Sequence, residues 1–379
     1  MGVICSWNIL DQVNKLEWSQ DSTLLLCSQA KRALIQIFNI KDVKWECKIS
    51  LGPCGLSSAW FCPDSRHIIT ICHFQIRLNI WSLLQKEVFA LASPKFSNKG
   101  VTFSKCKQFI AVLKRQNGRD SIVVVDNFFN VVSTFATKNN DLEDIEWTHD
   151  NFYIVGAGIS SWLVYSPAGE LIYEYEATNI DKCYNSVNGC YSVITNYDNT
   201  LKVFHHITWT QLAEFRHELN PIGKELTIYN EIETLEKDGL SYSYEMLDGP
   251  LKLFPIEGER KASIVRWCYS ERFLACKFDI TPQVVYIWDT ILLTLKAVLI
   301  HKHTVKAIEW CPGSTICAIA TGNNRIYLWT EDGASLCDLP FEREITVNKL
   351  TWSASGMHLL TKEKGNFVVA YPQIDEISK

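Results

Sequence analysis

The sequence is poor in the features that mark membrane proteins, disordered chains and common enzymes. No apolar run reaches the ~18–20 residues that span a bilayer, and Lys296 interrupts the best candidate, ILLTLKAVLI. Proline (11) and glycine (18) are too few in 379 residues for a largely disordered chain. Neither excess positive nor excess negative charge is present: the formal net charge of -5 supplies no general attraction to nucleic acid or acidic membranes. The phosphate-cradling G-x-x-x-x-G-K-[ST] and G-x-G-x-x-G patterns and the G-x-S-x-G nucleophile turn are all missing, so no catalytic site is indicated. The 14 cysteines form no C-x-x-C pair, and most sit in apolar runs, as with Cys27, Cys72, Cys276 and Cys317. They read as small buried hydrophobes in a reducing compartment rather than as disulfides or zinc ligands. A soluble, folded chain without cofactor or metal is expected.

What the chain does have is repetition. Short apolar segments ending in an aromatic recur at Trp18, Trp60, Phe103, Trp147, Trp267, Trp310 and Trp352, with uninterrupted spacings of 42, 43, 44, 43 and 42 residues. Polar turns such as CPDS, THDN and CPGS follow them. A second series, Phe38, Trp81, Tyr165, Phe204, Trp288 and Trp329, closes the third segment of each unit. Three or four short strands per ~40–45 residues is the signature of blades of the WD-repeat kind. The expected fold is therefore all-β, a single propeller over 1–379 of about eight four-stranded blades. The last unit shows only three strands, and GVICSWNIL at the start is expected to supply the fourth and close the ring, removing an open edge. MGVICS also fits the myristoylation pattern at Gly2, although Val3 to Leu10 reads better as that strand.

Two stretches depart from the repeat. The fifth unit replaces its marker aromatic by Asn185 or Val187, and residues 218–261 break the spacing while still looking extended. They are read as an insertion between blades, with a degenerate extra blade as the alternative. Asp198 is expected to fix a turn. His205 and His206 point to opposite faces of a strand and do not suit a shared metal, and His301 and His303 are read as architectural. Between Pro94 and Arg119 lie seven Lys or Arg and no acid. Phe96, Phe103 and Phe109 interleave them, but Phe103 and Phe109 read as core, and a solvated blade edge or a contact for acidic tubulin or a partner helix explains the run better than RNA stacking. Exposed aromatic and basic residues dominate protein interfaces, which nominates Trp45, Lys48, Arg66, His67, Trp162 and Trp209 as partner-binding candidates.

The segments KWECKISLGPCGL (44–56), PDSRHII (63–69), RLNIWSL (77–83) and HITWTQLAEFRH (206–217) resemble the centrosomal and spindle-pole WD-repeat family, the WRAP type also called WD-repeat protein eight. Members usually carry one more repeat ahead of the position of Asn14. The resemblance implies a non-enzymatic cytoplasmic scaffold at centrosomes, centriolar satellites or spindle poles, acting in microtubule minus-end anchoring, spindle assembly and cilia formation. It implies a coiled-coil microtubule-anchoring partner of the SSX-family-interacting type and, in some lineages, a minus-end-directed kinesin. Nucleic acid and stable membrane insertion are not expected. The alternatives are a substrate receptor of a cullin-type ubiquitin ligase and an RNA or translation-factor propeller. The first often carries Trp-Asp-x-Arg, whereas here Trp288-Asp289 is followed by Thr290-Ile291.

Overall fold

The structure, a computed structural model, describes residues 13–21, 23–39, 41–42, 44–85, 87–177, 180–219, 226–236, 239–247, 252–339, 346–352, 356, 359–362 and 367–370. No α-helix occurs among them. Contacts divide the chain into two compact units, Met1–Thr178 and Asn179–Lys379. The first holds four four-stranded sheets, at 15–50, 58–92, 101–136 and 142–176. The second holds sheets at 180–216, 307–338 and 349–370, the last with three described strands, and a six-stranded sheet at 227–300. The closing strand expected from residues 2–10 lies outside the described residues.

Within the four-stranded sheets, strands adjacent in sequence pair antiparallel, because turns of a few residues can join only such neighbours. In the sheet at 307–338, Trp310 pairs with Cys317 and Cys317 with Trp329. The second and third strands are covered on both faces and read as nearly continuous apolar runs: Phe273–Phe278 and Val284–Asp289 are buried throughout. Outer strands such as Gly333–Asp338 are half exposed and correspondingly polar.

The marker aromatics pack the core and also tie sheets together. Trp267 Nε1 donates to the Tyr184 carbonyl (3.4 Å), Trp310 Nε1 to that of Arg266 (2.9 Å) and Trp352 Nε1 to that of Glu309 (3.3 Å), in each case reaching the first strand of the sheet before. In the fifth unit the first strand, Ile180–Asn185, ends at the non-aromatic Asn185, and Tyr191 on the next strand stacks on Trp267 instead (5.9 Å). In the second aromatic series, Trp81 Nε1 donates to Thr70 Oγ1 (2.9 Å) and Trp288 Nε1 to His217 Nε2 (2.8 Å). His217 Nδ1 faces the Asn199 carbonyl at 3.0 Å, so this ring is neutral and protonated at Nδ1. Burial pushes its pKa down to about 3.

The turn after the first strand repeats a left-handed step: Ser65, Lys107, Asn151, Gly189, Glu271 and Gly313 all have positive φ. Glycine and asparagine take this conformation readily, whereas other residues lose about 1 kcal/mol or more there. The recurrence at Ser65, Lys107 and Glu271 means that the sheet ends hold the turn shape against local preference.

The stretch at 218–261 forms no sheet of its own among its described residues. Thr227–Glu236 and Gly239–Met246 make a hairpin, and the first of these strands pairs parallel with Thr294–Ile300, from Thr227 opposite Ala297 to Asn230 opposite Ile300. The hairpin thereby extends the outer edge of the sheet that follows it in sequence. Its inward side is polar and mostly hydrogen-bonded, with His301 Nε2 left as a buried atom without a partner among the described residues. Buried Glu231 accepts from Tyr327 Oη (2.8 Å) and from the Lys302 N–H (2.8 Å), and Tyr244 Oη lies 3.1 Å from His301 Nδ1. Arg325 lies over the Tyr242 ring at 3.2 Å, and Lys302 pairs with Glu233 at 2.5 Å.

Candidate protein-interaction surface

The six nominated residues separate into three settings. Trp45 is half-buried against the apolar cluster of the first sheet, and Lys48 is exposed on Glu46–Ser50, paired with Glu46 at 2.8 Å. Arg66 and His67 leave a turn built on Asp64. The Asp64 carboxylate accepts from the N–H of Arg66 (2.9 Å) and of His67 (3.1 Å) and also meets His67 Nδ1. Burial raises the Asp64 pKa, but these hydrogen bonds outweigh it and hold the carboxyl below its usual value.

Trp162 and Trp209 are corrected from surface to core. Trp162 is 0% exposed because Ser161–Tyr165 is the third strand of its sheet and is covered on both faces. Its ring meets Tyr173 edge-on at 6.1 Å. Trp209, 4% exposed, adopts φ +55 in its turn, and its ring lies against His206 at 4.6 Å.

His67 lines an open groove of about 610 Å³ together with Val88, Phe89, Phe128, Phe129 and polar residues such as Glu87 and Asn130, whereas Arg66 is outside it and pairs with Asp21 at 3.7 Å. Its walls are the outer strand Val88–Ala92 and the turn at 126–130. Asp126 shapes that turn by accepting from the N–H of Phe128 (2.9 Å) and of Asn130 (2.8 Å). Phe128 is left 77% exposed, while Phe129 turns inward to meet Phe89 (6.0 Å) and His67 (4.6 Å). An exposed aromatic beside a groove of mixed polar and apolar lining suits a protein contact, since it offers area at little entropy cost.

The basic run at 94–119 is largely engaged within the chain. The buried Lys95 side chain contacts Asp120 (2.6 Å) and the Leu142 carbonyl (2.5 Å), Lys99 pairs with Glu143 (2.6 Å), and Arg115 donates to the Asn140 carbonyl (2.9 Å). Phe109 stacks on Trp147 at 6.2 Å, and Phe103 packs against the core cluster of its neighbours. Among the described residues, no three His, Cys, Asp or Glu assemble into a metal-binding group. Asp198 accepts from the Thr200 N–H (3.1 Å) and hydroxyl (2.6 Å), a turn-fixing arrangement.

Four-stranded antiparallel sheets in chain order, repeating with aromatic strand ends, give this all-β chain the architecture of WD40 propellers. Two solved propellers share the fold. The C-terminal WD40 domain of Sif2 aligns with a TM-score of 0.57 and 14% identity over 96% of this chain and 97% of that one. The Dos1 propeller aligns with a TM-score of 0.60 and 9% identity over 94% and 91%. No family model matches the chain. In sequence it is similar to the WD repeat-containing protein WRAP73 of Mus musculus, 28% identical over 408 aligned residues that cover 98% of this chain and 87% of the mouse protein. This is the WRAP type that the segments at 44–56 and 206–217 resemble. An uncharacterized WD repeat-containing protein of Schizosaccharomyces pombe is 24% identical over 273 residues, 68% of this chain and 56% of the yeast protein.

Apolar residues held outward in the turns escaped the sequence reading: Phe128, Ile207 and Ile291 to Leu293. Their signal is an apolar residue in the short link after the third strand of a unit, where turn chemistry favours polar ones.

Proposed function

We propose that the chain is a protein-interaction scaffold working at centrosomes, centriolar satellites or spindle poles, where it helps to anchor microtubule minus ends and to assemble spindles and cilia. The observation that carries the scaffold reading is the groove beside His67, in which Asp126 holds Phe128 outward. The cellular setting draws support from the likeness to WRAP73 across 98% of the chain. The partner of this reading is a coiled-coil microtubule-anchoring protein of the SSX-family-interacting type, joined in some lineages by a minus-end-directed kinesin. Proximity labelling and affinity purification from dividing cells test it. Recovery of the coiled-coil protein is expected, and Phe128→Ser should reduce it. Recovery of only ribosomal proteins or cullin ligase subunits would overturn the reading.

A further inference from the structure

In the four-stranded sheets, and in the four antiparallel strands at 262–300, the turns after the first and third strands lie at the same end. In the unit Asn179–Lys379 these turns are connected in series. The His206 N–H donates to the Cys190 carbonyl (2.9 Å), and the Asn188 N–H to the Glu271 carboxylate (2.8 Å). Thr290 Oγ1 donates to the Glu271 carbonyl (2.7 Å), and Arg272 Nη1 reaches Glu331 (3.0 Å). The face so formed carries Ile207 (79% exposed), Ile291 (69%) and Leu292 (54%), with Leu293 and Tyr269 also exposed. Single exposed apolar residues need no explanation, but Ile291, Leu292 and Leu293 stand exposed together on one turn, and such a patch marks a contact site.

The shape of the 289–294 turn is enforced. Buried Asp289 accepts from the N–H of Ile291 (2.9 Å) and Leu292 (2.8 Å) and pairs with Arg272 (3.2 Å), while Leu293 is held at φ +55, a conformation costly for leucine. Local preference would let these side chains fold back, and the carboxylate prevents it. The charge beside them is net negative: the cation there, Arg272, bridges Asp289 and Glu331, and the exposed Asp332 adds a third carboxylate. An apolar centre with an acidic flank complements an apolar stripe with a basic flank. The same acids disfavour an anionic lipid surface.

We propose that this turn face docks a basic amphipathic helix of a partner protein, with aliphatic residues at i, i+3 or i+4 and i+7. The proposal rests on the scaffold reading and deepens it by assigning a surface and a ligand chemistry. The probe is a fluorescent leucine–lysine helix of about 18 residues, long enough for five turns, titrated into the full chain by anisotropy. A leucine–glutamate counterpart and vesicles of phosphatidylserine with phosphatidylcholine are the comparison arms. The lysine helix should bind, the I291N/L292N variant should weaken it by about tenfold or more, and Asp332→Lys should weaken it severalfold, most at low salt. Melting curves check that the variants are folded, and Asp332→Lys, on an exposed turn, decides the matter alone if the double variant is not. Equal binding by the variants, equal binding of the glutamate helix, or recruitment to the vesicles would overturn the proposal. Such a failure alongside successful proximity labelling would remove this surface and leave the scaffold reading in place.

Discussion

Replacing Tyr327 by phenylalanine tests whether the 227–246 hairpin is an integral part of its unit. The Tyr327 hydroxyl donates to buried Glu231 at 2.8 Å and accepts from Asn323 Nδ2 at 2.9 Å. Phenylalanine keeps the ring contacts with His301 (4.7 Å) and Tyr244 (5.9 Å), so the change isolates the hydrogen bonds. A bond to a charged acceptor contributes about 1.5–3 kcal/mol, and leaving a partly buried amide unsatisfied adds roughly 1. The expected loss is about 2–4 kcal/mol, or roughly 5–15 °C in melting temperature for a unit of about 200 residues. Hydrogen exchange should locate it. If the hairpin opens on its own, amides of Thr227–Glu236 should lose protection by about 30-fold or more, while those of Phe273–Phe278 change little. Glu231→Gln, which keeps an acceptor, should cost less. A melting temperature within about 1 °C of the parent together with unchanged exchange in the hairpin would refute the reasoning.

Two further predictions concern buried charge. His217 and His301 are both pushed to about 3 by burial. Between pH 6.5 and 3 the unfolded chain therefore binds protons that the folded chain refuses, and stability should fall with pH by about 1.4 kcal/mol per unit for each histidine. Urea midpoints from pH 7 to 4 should show this slope, and an undiminished slope in His301→Gln would contradict it. Lys95→Met strands the buried Asp120 carboxylate, with Arg115 at 3.4 Å the remaining cation. A loss of about 3–5 kcal/mol in chemical denaturation is expected, against about 0.5 or less for Lys48→Ala on its exposed pair.

Strand ends were legible because aromatics mark them. Trp147, Trp267, Trp310 and Trp352 each close a first strand, and Tyr165 closes a third. Depth within a sheet was less legible. Trp162 looks like any aromatic on a strand, and its burial follows from occupying a third strand, covered on both faces. Trp209 turns inward through a backbone angle that its side chain does not encode. The hairpin was recognisable as extended chain, and Tyr242 and Tyr244 share one of its faces. Its docking was not recognisable, because the strand it joins lies far along the sequence and pairs in parallel. Of the candidate surface, His67 was found from composition, whereas Phe128 and Ile291 were missed because carboxylates at Asp126 and Asp289 set their exposure.

The parallel pairing also orders events during synthesis. The hairpin is complete at Met246, but its partner strand Thr294–Ile300 leaves the ribosome roughly fifty residues later, a delay of about 3–10 s at ordinary elongation rates. An isolated two-stranded hairpin is at best marginally stable in water. Through that interval Glu231, destined for burial, remains hydrated, and the strand edge stays open to any extended segment of the nascent chain.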